Sequence, residues 1–440
     1  MDADVIVIGA GVAGLRCARV LEDAGLRVLT VDAGQSVGGR IRSSRIDGFI
    51  CDWGLMTVNP QMPAVHRWVD LSRLDLHFPL AALLVRRTDG PQLFGDPRRV
   101  PRLLPSMVRS RMISAADLTA LARWSSSGLV GGRVLDSDND TTLLASLDEF
   151  RVRGALREEL LLPVLSAMLA DSSGTTSAAY AKWVLHSILA GTPGLPAGGM
   201  QALPELLASQ LRDPVRLEVH ASAVLETGGG VEVQTWGDTL RARKAVVAVS
   251  PEAVNQLLPV RRPRMQGVVT WWFRTPSAPF SLPVFALDGR GPIGPVWTAV
   301  EVTSFAPSYA PPDSHLVAAK TLLDRFDGRA SVRVVRRHLA AIYGVPTDDW
   351  EVVAHFELPN AVPTHRPPLS DRQQVRIWDD VYVAGDHRKT GSIHGAMVSG
   401  QRAAEAVLVD LGIIGALPRR RRALPELYPL QPAASDPAAT

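Results

Sequence analysis

The chain predicts an α/β fold: a Rossmann-type dinucleotide-binding domain whose segments are interleaved with those of an α+β domain. Three observations carry this expectation. A short apolar run, Val5 to Ile8, leads directly into G-x-G-x-x-G at Gly9, Gly11 and Gly14. A second apolar run ends on an acid, Asp32, 18 positions after Gly14. At 440 residues the chain is too long for a single hydrophobic core, so two domains are expected.

Each element of the motif has a physical reason. Val5 to Ile8 suits a parallel strand buried on both faces. Gly9 permits the tight turn out of that strand, Gly11 lets backbone approach a pyrophosphate, and Gly14 lets helix and strand pack closely. A helix over Val12 to Ala24 then points its unpaired N–H groups and its dipole at the phosphates. Gly25 ends it, as a residue without Cβ should. Leu26 to Val31 reads as the second strand. Asp32 at its end is placed to accept hydrogen bonds from ribose hydroxyls and to repel a 2′-phosphate.

Composition bounds the rest. Apolar content of 46% is ordinary for a globular protein, and the formal charge is +3. A pI near 9.1 reflects Arg greatly outnumbering Lys. That bias falls short of a nucleic-acid footprint, so no nucleic-acid partner is expected. Two cysteines, Cys17 and Cys51, give no disulfide framework and fit a reducing, cytoplasmic location. Asp2 and Asp4 ahead of the first strand argue against a secretory signal. No apolar run reaches the roughly 18 residues that a membrane span needs.

The pattern shifts repeatedly along the chain. VGGR at Val37 to Arg40 supplies a second flexible turn followed by a guanidinium. Phe49 to Val58 reads as strand with a turn near Trp53-Gly54. From Leu76 to Thr192 helical periodicity dominates, so this stretch is expected to be a mainly helical insertion. PAGGM at Pro196 to Met200 starts a Gly turn and an amphipathic helix. The strand-like segments VRLEVHASAVLET and VEVQTW follow, and then Ala245 to Val249. Gly267 to Phe273 reads as a strand with Trp271 and Trp272 on opposite faces. One basic helix, Arg329 to Tyr343, follows, then a last parallel strand at Val381 to Ala384 and a last helix at Ile393 to Leu411. These segments give residues 1–75, 193–265 and 375–415 as the nucleotide-binding domain and 76–192 and 266–374 as the second, substrate-binding domain. Residues 416–440, with Arg419 to Arg422, read as a flexible tail. A solvated end is favoured there, and peripheral contact with an anionic membrane surface is the alternative.

GAGVAG with Asp32, VGGR, PAGGM, VYVAGD at Val381 to Asp386 and SIHGAMVSGQRAAEAV at Ser392 to Val407 occur in one order. In that order they resemble the two-glycine-motif flavoproteins: monoamine oxidase, protoporphyrinogen oxidase and the phytoene and carotene desaturases. The segment Leu143 to Leu203 looks closer to the desaturase-like branch. The resemblance implies an FAD/NAD(P)-binding fold carrying FAD. It would place Gly9, Gly11 and Gly14 on the pyrophosphate, Asp32 on the adenosine ribose, and the backbone of Val224 on adenine. Gly38, Gly39 and Arg40 would hold the phosphate and ribityl region, and Gly385 and Asp386 the pyrophosphate–ribityl stretch. Ser392 and Ile393 would meet the flavin's pyrimidine edge. Ala13, Ala33, Met56 and Ala396 would complete the site. The helix N-terminus at Ile393 would stabilise the negative charge of reduced flavin. Small residues at Gly395, Ser399 and Ala403, and at Ala396, Gly400 and Ala404, let that helix approach its neighbours closely.

Two departures narrow the chemistry. Amine oxidases of this group place a lysine near flavin N5 on the strand that aligns with Gln266 to Val269, and none stands there. One of their aromatic positions aligns with Ser392. The linking cysteine of some members has no counterpart near Asp386, so noncovalent FAD is expected. The resulting expectation is an oxidoreductase that takes a hydride from an apolar small molecule and passes electrons to oxygen or a quinone-like acceptor. An amine oxidase making hydrogen peroxide, a non-redox flavin isomerase and a flavoprotein-fold binding module are the alternatives. His365 and His387 are the catalytic candidates, with His394 a further polar candidate, although a histidine in such places more often holds backbone. Trp53, Trp271, Trp272 and Trp297 read as core before pocket. DSDND at Asp136 to Asp140 begins like a calcium loop, but Thr141 and Leu147 stand where Gly and Glu are needed, so no metal is expected.

Overall fold

The computed structural model describes residues 1–110, 112–126, 139–370 and 373–415. Most of DSDND and the whole 416–440 tail therefore lie outside the described residues. The architecture is mixed α/β, as the sequence predicts. The first strand, Ala3–Ile8, pairs in parallel with Val28–Val31 on one side and with Thr239–Val247 on the other. Val381–Val383 adds a further parallel strand to Thr239–Val247. Gly230–Thr235 and Ala221–Thr227 extend the sheet antiparallel. The parallel strands are apolar along nearly their whole length because both of their faces are buried. The first helix, Val12–Asp23, lies on one face beside the last helix, Ile393–Asp410.

The close approach of those two helices depends on one glycine. A Cβ on Gly400 would lie 2.1 Å from the carbonyl oxygen of Ala13 and 3.2 Å from the amide of Cys17. The small-residue stripe thus seats the two helices backbone to backbone. Gly395 serves the other end, where a Cβ would meet the Thr390 carbonyl at 2.0 Å.

A second, seven-stranded sheet runs Glu351–Pro363, Met265–Thr275, His315–Leu322, Val296–Glu301, Phe285–Asp288, Ala82–Arg87 and Gly90–Gly95 in spatial order. Trp271 and Trp272 do take opposite faces of the strand Met265–Thr275. Trp272 donates its indole N–H to the Asp52 carbonyl at 2.9 Å, while Trp271 stacks on His355 at 5.0 Å. None of the four tryptophans singled out by the sequence lines the cavity described below.

The stretch Leu76 to Thr192 is mainly helical among its described residues, but it opens with strands that the periodicity does not suggest. Ala82–Arg87 and Gly90–Gly95 form a hairpin at the edge of the seven-stranded sheet. The signal was local: Asp89-Gly90 is a hairpin dipeptide, and Gly90 has φ +127. Within the same stretch, Leu156 to Leu169 is a π-turn over Leu156–Leu161 followed by an α-helix over Leu162–Leu169. Pro163 has no N–H to continue the ladder, which accounts for the wider turn. The strand expected from Val215 begins only at Ala221, and the second strand begins at Val28 rather than Leu26.

PAGGM has a structural job. The buried Asp52 carboxylate accepts from the Met200 N–H at 3.0 Å, the Ser43 hydroxyl at 2.5 Å and the Tyr309 hydroxyl at 2.9 Å. Burial still pushes its pKa up despite those donors. The Gln201 side chain donates to the Val37 carbonyl at 2.7 Å, which ties PAGGM to the second glycine turn. No helix among the described residues is long and apolar enough to cross a membrane.

Gly400→Ala should lower the unfolding free energy by about 1–3 kcal/mol through overpacking against the first helix. Gly237→Ala, where a Cβ would meet nothing within 4 Å, should change it by less than about 0.5 kcal/mol. Chemical denaturation of both variants checks the contrast. Equal effects would remove the close-packing account of the helix pair.

Candidate functional site

The two glycine turns meet, with Gly11 and Gly38 bridged in register. Gly9 donates its N–H to the Val31 carbonyl at 2.7 Å, and a Cβ on it would strike the Ala248 carbonyl at 2.5 Å. Gly14 is needed for packing, because its Cβ would lie 1.9 Å from the Gly9 carbonyl. Gly11 behaves differently: a Cβ there would meet nothing within 4 Å. Opposite stands Gly39, whose Cβ would touch only the Gly11 Cα at 3.9 Å. Gly38 joins the two turns, donating its N–H to the Ala10 carbonyl at 2.9 Å. The Asp32 carboxylate is fixed in orientation by the N–H groups of Ala10 at 2.6 Å and Gly34 at 2.7 Å. Each of its oxygens keeps acceptor capacity for a further donor. Ala33 is exposed beside it, Ala13 is buried under the last helix, and Val224 is buried in Ala221–Thr227.

The carboxyl-terminal motif meets this region through an ion pair. Arg40 donates to the Asp386 carboxylate at 2.5 Å and to the Ala361 carbonyl at 2.8 Å. Gly385, whose φ is +153, donates its N–H to the Ser399 hydroxyl at 3.0 Å. Only a residue without Cβ fits there, since a Cβ would sit 2.5 Å from the His387 ring. Ser392 caps the last helix by accepting from the Gly395 N–H at 3.0 Å. The N–H groups of Ile393 and His394 have no intrahelical partner by position, and the positive end of the helix dipole lies with them.

A cavity of about 190 Å³ opens under this helix end. Arg40, Met56, Ser392 and Ile393, all expected cofactor contacts, line it. Ala396 and the first glycine turn do not. Of the three candidate histidines only His394 lines the cavity. His365 lies behind it and accepts the Gly391 N–H on Nε2 at 2.8 Å, with the ring edge-on to Tyr180 at 4.4 Å. Both His365 and His387 are buried, and neither reaches the cavity wall.

Among the lining residues that the sequence did not single out as cavity-forming, four bear on the chemistry. Tyr180 and Trp183 come from the helix Ala178–Ala190, stacked at 5.9 Å, and Trp183 lies 5.5 Å from the His394 ring. Asn59 comes from the loop after Phe49–Asp52. The fourth is Lys320, one of only four lysines in the chain. No lysine stands on Gln266 to Val269, but Lys320 enters from the neighbouring strand, opposite Thr270 in register. Its ammonium donates to the Ala167 carbonyl at 2.7 Å, and burial lowers its pKa to about 8. An i, i+3 aromatic pair on a helix is the only sequence signal these residues left. Nothing local marks Lys320.

The remaining lining is mostly apolar, including Leu55, Met62, Val65, Met168, Ile188 and Leu358, and it contains no Asp or Glu. Its histidine is neutral. His394 accepts the Ala64 N–H on Nδ1 at 3.2 Å, and burial lowers its pKa to about 4. Burial does the same to His365 and His387, each to about 4. An unfolded histidine takes its proton near 6.5, so between 6.5 and 4 the unfolded chain binds more protons than the folded one. Stability from these three groups is therefore complete above pH 6.5 and falls as pH drops toward 4, by on the order of 3 kcal/mol per histidine. Thermal unfolding across pH 7.5 to 4 should show a steep loss in this window. A flat profile would mean the histidines are protonated in the fold.

The chain is similar to known proteins over most of its length. The family profile described as flavin containing amine oxidoreductase matches residues 12–408. Putrescine oxidase of Kocuria rosea is 25% identical over 288 residues, covering 58% of this chain and 59% of the relative. That alignment thus spans less than two thirds of the relative's own length. Two solved structures share the fold. One is a candidate protoporphyrinogen oxidase from Exiguobacterium sp. 255-15, with a TM-score of 0.71 at 19% identity, covering 93% of this chain and 98% of that one. The other is cyclohexylamine oxidase from Brevibacterium oxydans, with a TM-score of 0.69 at 21% identity, covering 94% and 100%. With the match extending from the first helix to the last, the chain belongs to the flavin-containing amine oxidoreductase family.

Proposed function

We propose that this protein holds FAD noncovalently and dehydrogenates a C–H or C–N bond of a largely apolar small molecule, passing electrons to oxygen or a quinone-like acceptor. The observation that carries this reading is the apolar cavity at the N-terminus of the last helix, beside two glycine turns that meet at Gly11 and Gly38 and leave the Gly11 backbone open. The residues present fit the cofactor. Gly9, Gly11, Ala13 and Gly14 would take the pyrophosphate, Asp32 and Ala33 the ribose, and Val224 the adenine. Gly38, Gly39, Gly385 and the Arg40–Asp386 pair would flank the pyrophosphate–ribityl stretch. Met56, Ser392, Ile393 and Ala396 would surround the ring system. When bound, the flavin supplies a two-electron acceptor for hydride. The chain's own part is to orient the substrate, exclude water through the apolar walls and offer the positive helix end where negative charge gathers. His365 and His387 then act as positioning residues, since each sits behind the wall. The domain division at 75/76, 192/193, 265/266 and 374/375 belongs to the same reading and is supported by the two separate sheets.

One observation favours amine oxidation as the second reading. Lys320 and the Tyr180–Trp183 pair bring a lysine and aromatic rings to the cavity from elements other than those where the family resemblance would seek them. The absence of any acidic lining residue weighs against a diamine, which needs a counter-charge for its second ammonium.

Three outcomes follow. Purified protein should be yellow, and acid precipitation should release its flavin into the supernatant as FAD. Colourless protein that takes up no added FAD would end the oxidoreductase reading, and flavin left in the pellet would mean a covalent link. Asp32→Ala should weaken FAD binding at least ~10-fold through loss of charge-assisted hydrogen bonds, read by flavin fluorescence on titrating apoprotein. An unchanged Kd would remove Asp32 from the site. Peroxide release with cyclohexylamine or benzylamine, at rates well above those with apolar hydrocarbons, would move the assignment to the second reading.

A further inference from the structure

We infer that the cavity selects an apolar molecule bearing one acidic group, and that Lys320 is the anchor for that group. The inference rests on the reading of the cavity as the substrate site. It begins from an imbalance of charge. Lys320 is half-buried in the cavity wall and its ammonium makes one protein hydrogen bond, to the Ala167 carbonyl, although it carries three donors. Among the described residues no carboxylate pairs with it. The elements packed around it present Thr270 and Val268 from Met265–Thr275, Thr298 from Val296–Glu301, and backbone from Leu162–Leu169.

The nearest acids in sequence or register are occupied elsewhere. Glu357, on Glu351–Pro363, forms a bidentate pair with Arg329 at 2.7 and 3.0 Å. Asp324 accepts from the backbone and hydroxyl of Ser172, and Asp171 accepts from Ser173 and Thr176. Glu301 accepts from Thr303 and pairs with His315. The other cation lining the cavity, Arg40, is neutralised by Asp386. His394 is neutral and offers only an Nε2 donor, which is buried and has no protein partner.

The cavity therefore presents unspent donors on Lys320 and His394, the first of them charged, and no acidic group. A buried ammonium without a counter-ion is costly, and an anionic ligand removes that cost. A second ammonium brought in by a cationic substrate would add to it. The apolar remainder of the wall accommodates the hydrocarbon body of such a ligand. The chemical class is thus a hydrophobic carboxylate, or an isosteric anion, oxidised at a carbon away from its acid group.

The test uses flavin-loaded protein and three probes of one shape: benzoate, benzamide and benzylamine. Each is titrated while the flavin absorption bands are followed. Flavin retention during the titrations checks the parent reading separately. Benzoate should perturb the bands with a Kd at least ~10-fold lower than that of benzamide, and benzylamine should bind most weakly. Lys320→Met should weaken benzoate at least ~10-fold and leave benzamide within ~3-fold, while Lys320→Arg should keep most of the preference. Equal or tighter binding of benzamide or benzylamine to the wild-type protein, or no band shift with any probe, overturns the inference. So does a Lys320→Met protein that binds benzoate as before but whose flavin reduction potential has fallen, because the lysine's charge would then act on the cofactor.

Discussion

The contact between Arg40 and Asp386 holds together regions that the chain keeps more than 300 positions apart. Arg40 belongs to the second glycine turn, Asp386 to the turn after the last parallel strand, and Arg40 also reaches the Ala361 carbonyl at the end of a strand in the other sheet. Three segments therefore meet on one guanidinium, whose planar fork suits two acceptors at once. The pair is largely removed from water, so deleting either partner would leave a buried charge, at a cost of about 3–5 kcal/mol. The pairing also spends the Arg40 charge, which leaves Lys320 as the cation whose charge is not answered by the protein wall.

Much of the architecture follows from close backbone approach around that contact. Gly14 lets the first helix sit on its strand, Gly400 lets the last helix sit on the first, and Gly385 makes room for the His387 ring. Once the two helices are seated, the N-terminus of the last helix opens onto the cavity with Ser392 as its cap. Asp52 does similar work on the other side, gathering Ser43, Met200 and Tyr309 around one buried carboxylate. The histidines nearby serve structure in the same manner: His365 and His394 accept backbone N–H groups and stay neutral.

The fold was legible where its signals are local. The strand–glycine–helix order, the acid after the second strand, the Trp271-Trp272 alternation and the small-residue stripe each depend on neighbours in sequence, and each has its counterpart in the structure. The Ala82–Gly95 hairpin was legible too, in Asp89-Gly90, but the helical periodicity around it dominated the reading. Beyond Arg40, Met56, Ser392, Ile393 and His394, the cavity wall was not legible. Lys320 reaches it only because His315–Leu322 pairs with Met265–Thr275 in a register that sets Lys320 opposite Thr270. Tyr180 and Trp183 reach it because of how one helix of the 76–192 segment docks. Such placements depend on pairing between distant segments, which spacing along a single chain does not encode. The family's lysine and aromatic positions are thus empty at the expected places in the sequence, while the same residue types enter the cavity from others.

The central claim is that the first and last motifs form one flavin site. Hydrogen exchange of apoprotein with and without added FAD tests it most directly. The account predicts that FAD protects amides in both Val5–Arg40 and Gly385–Ala396, with the two regions saturating at the same FAD concentration. Protection confined to Val5–Arg40, with Gly385–Ala396 exchanging as in apoprotein, would contradict it.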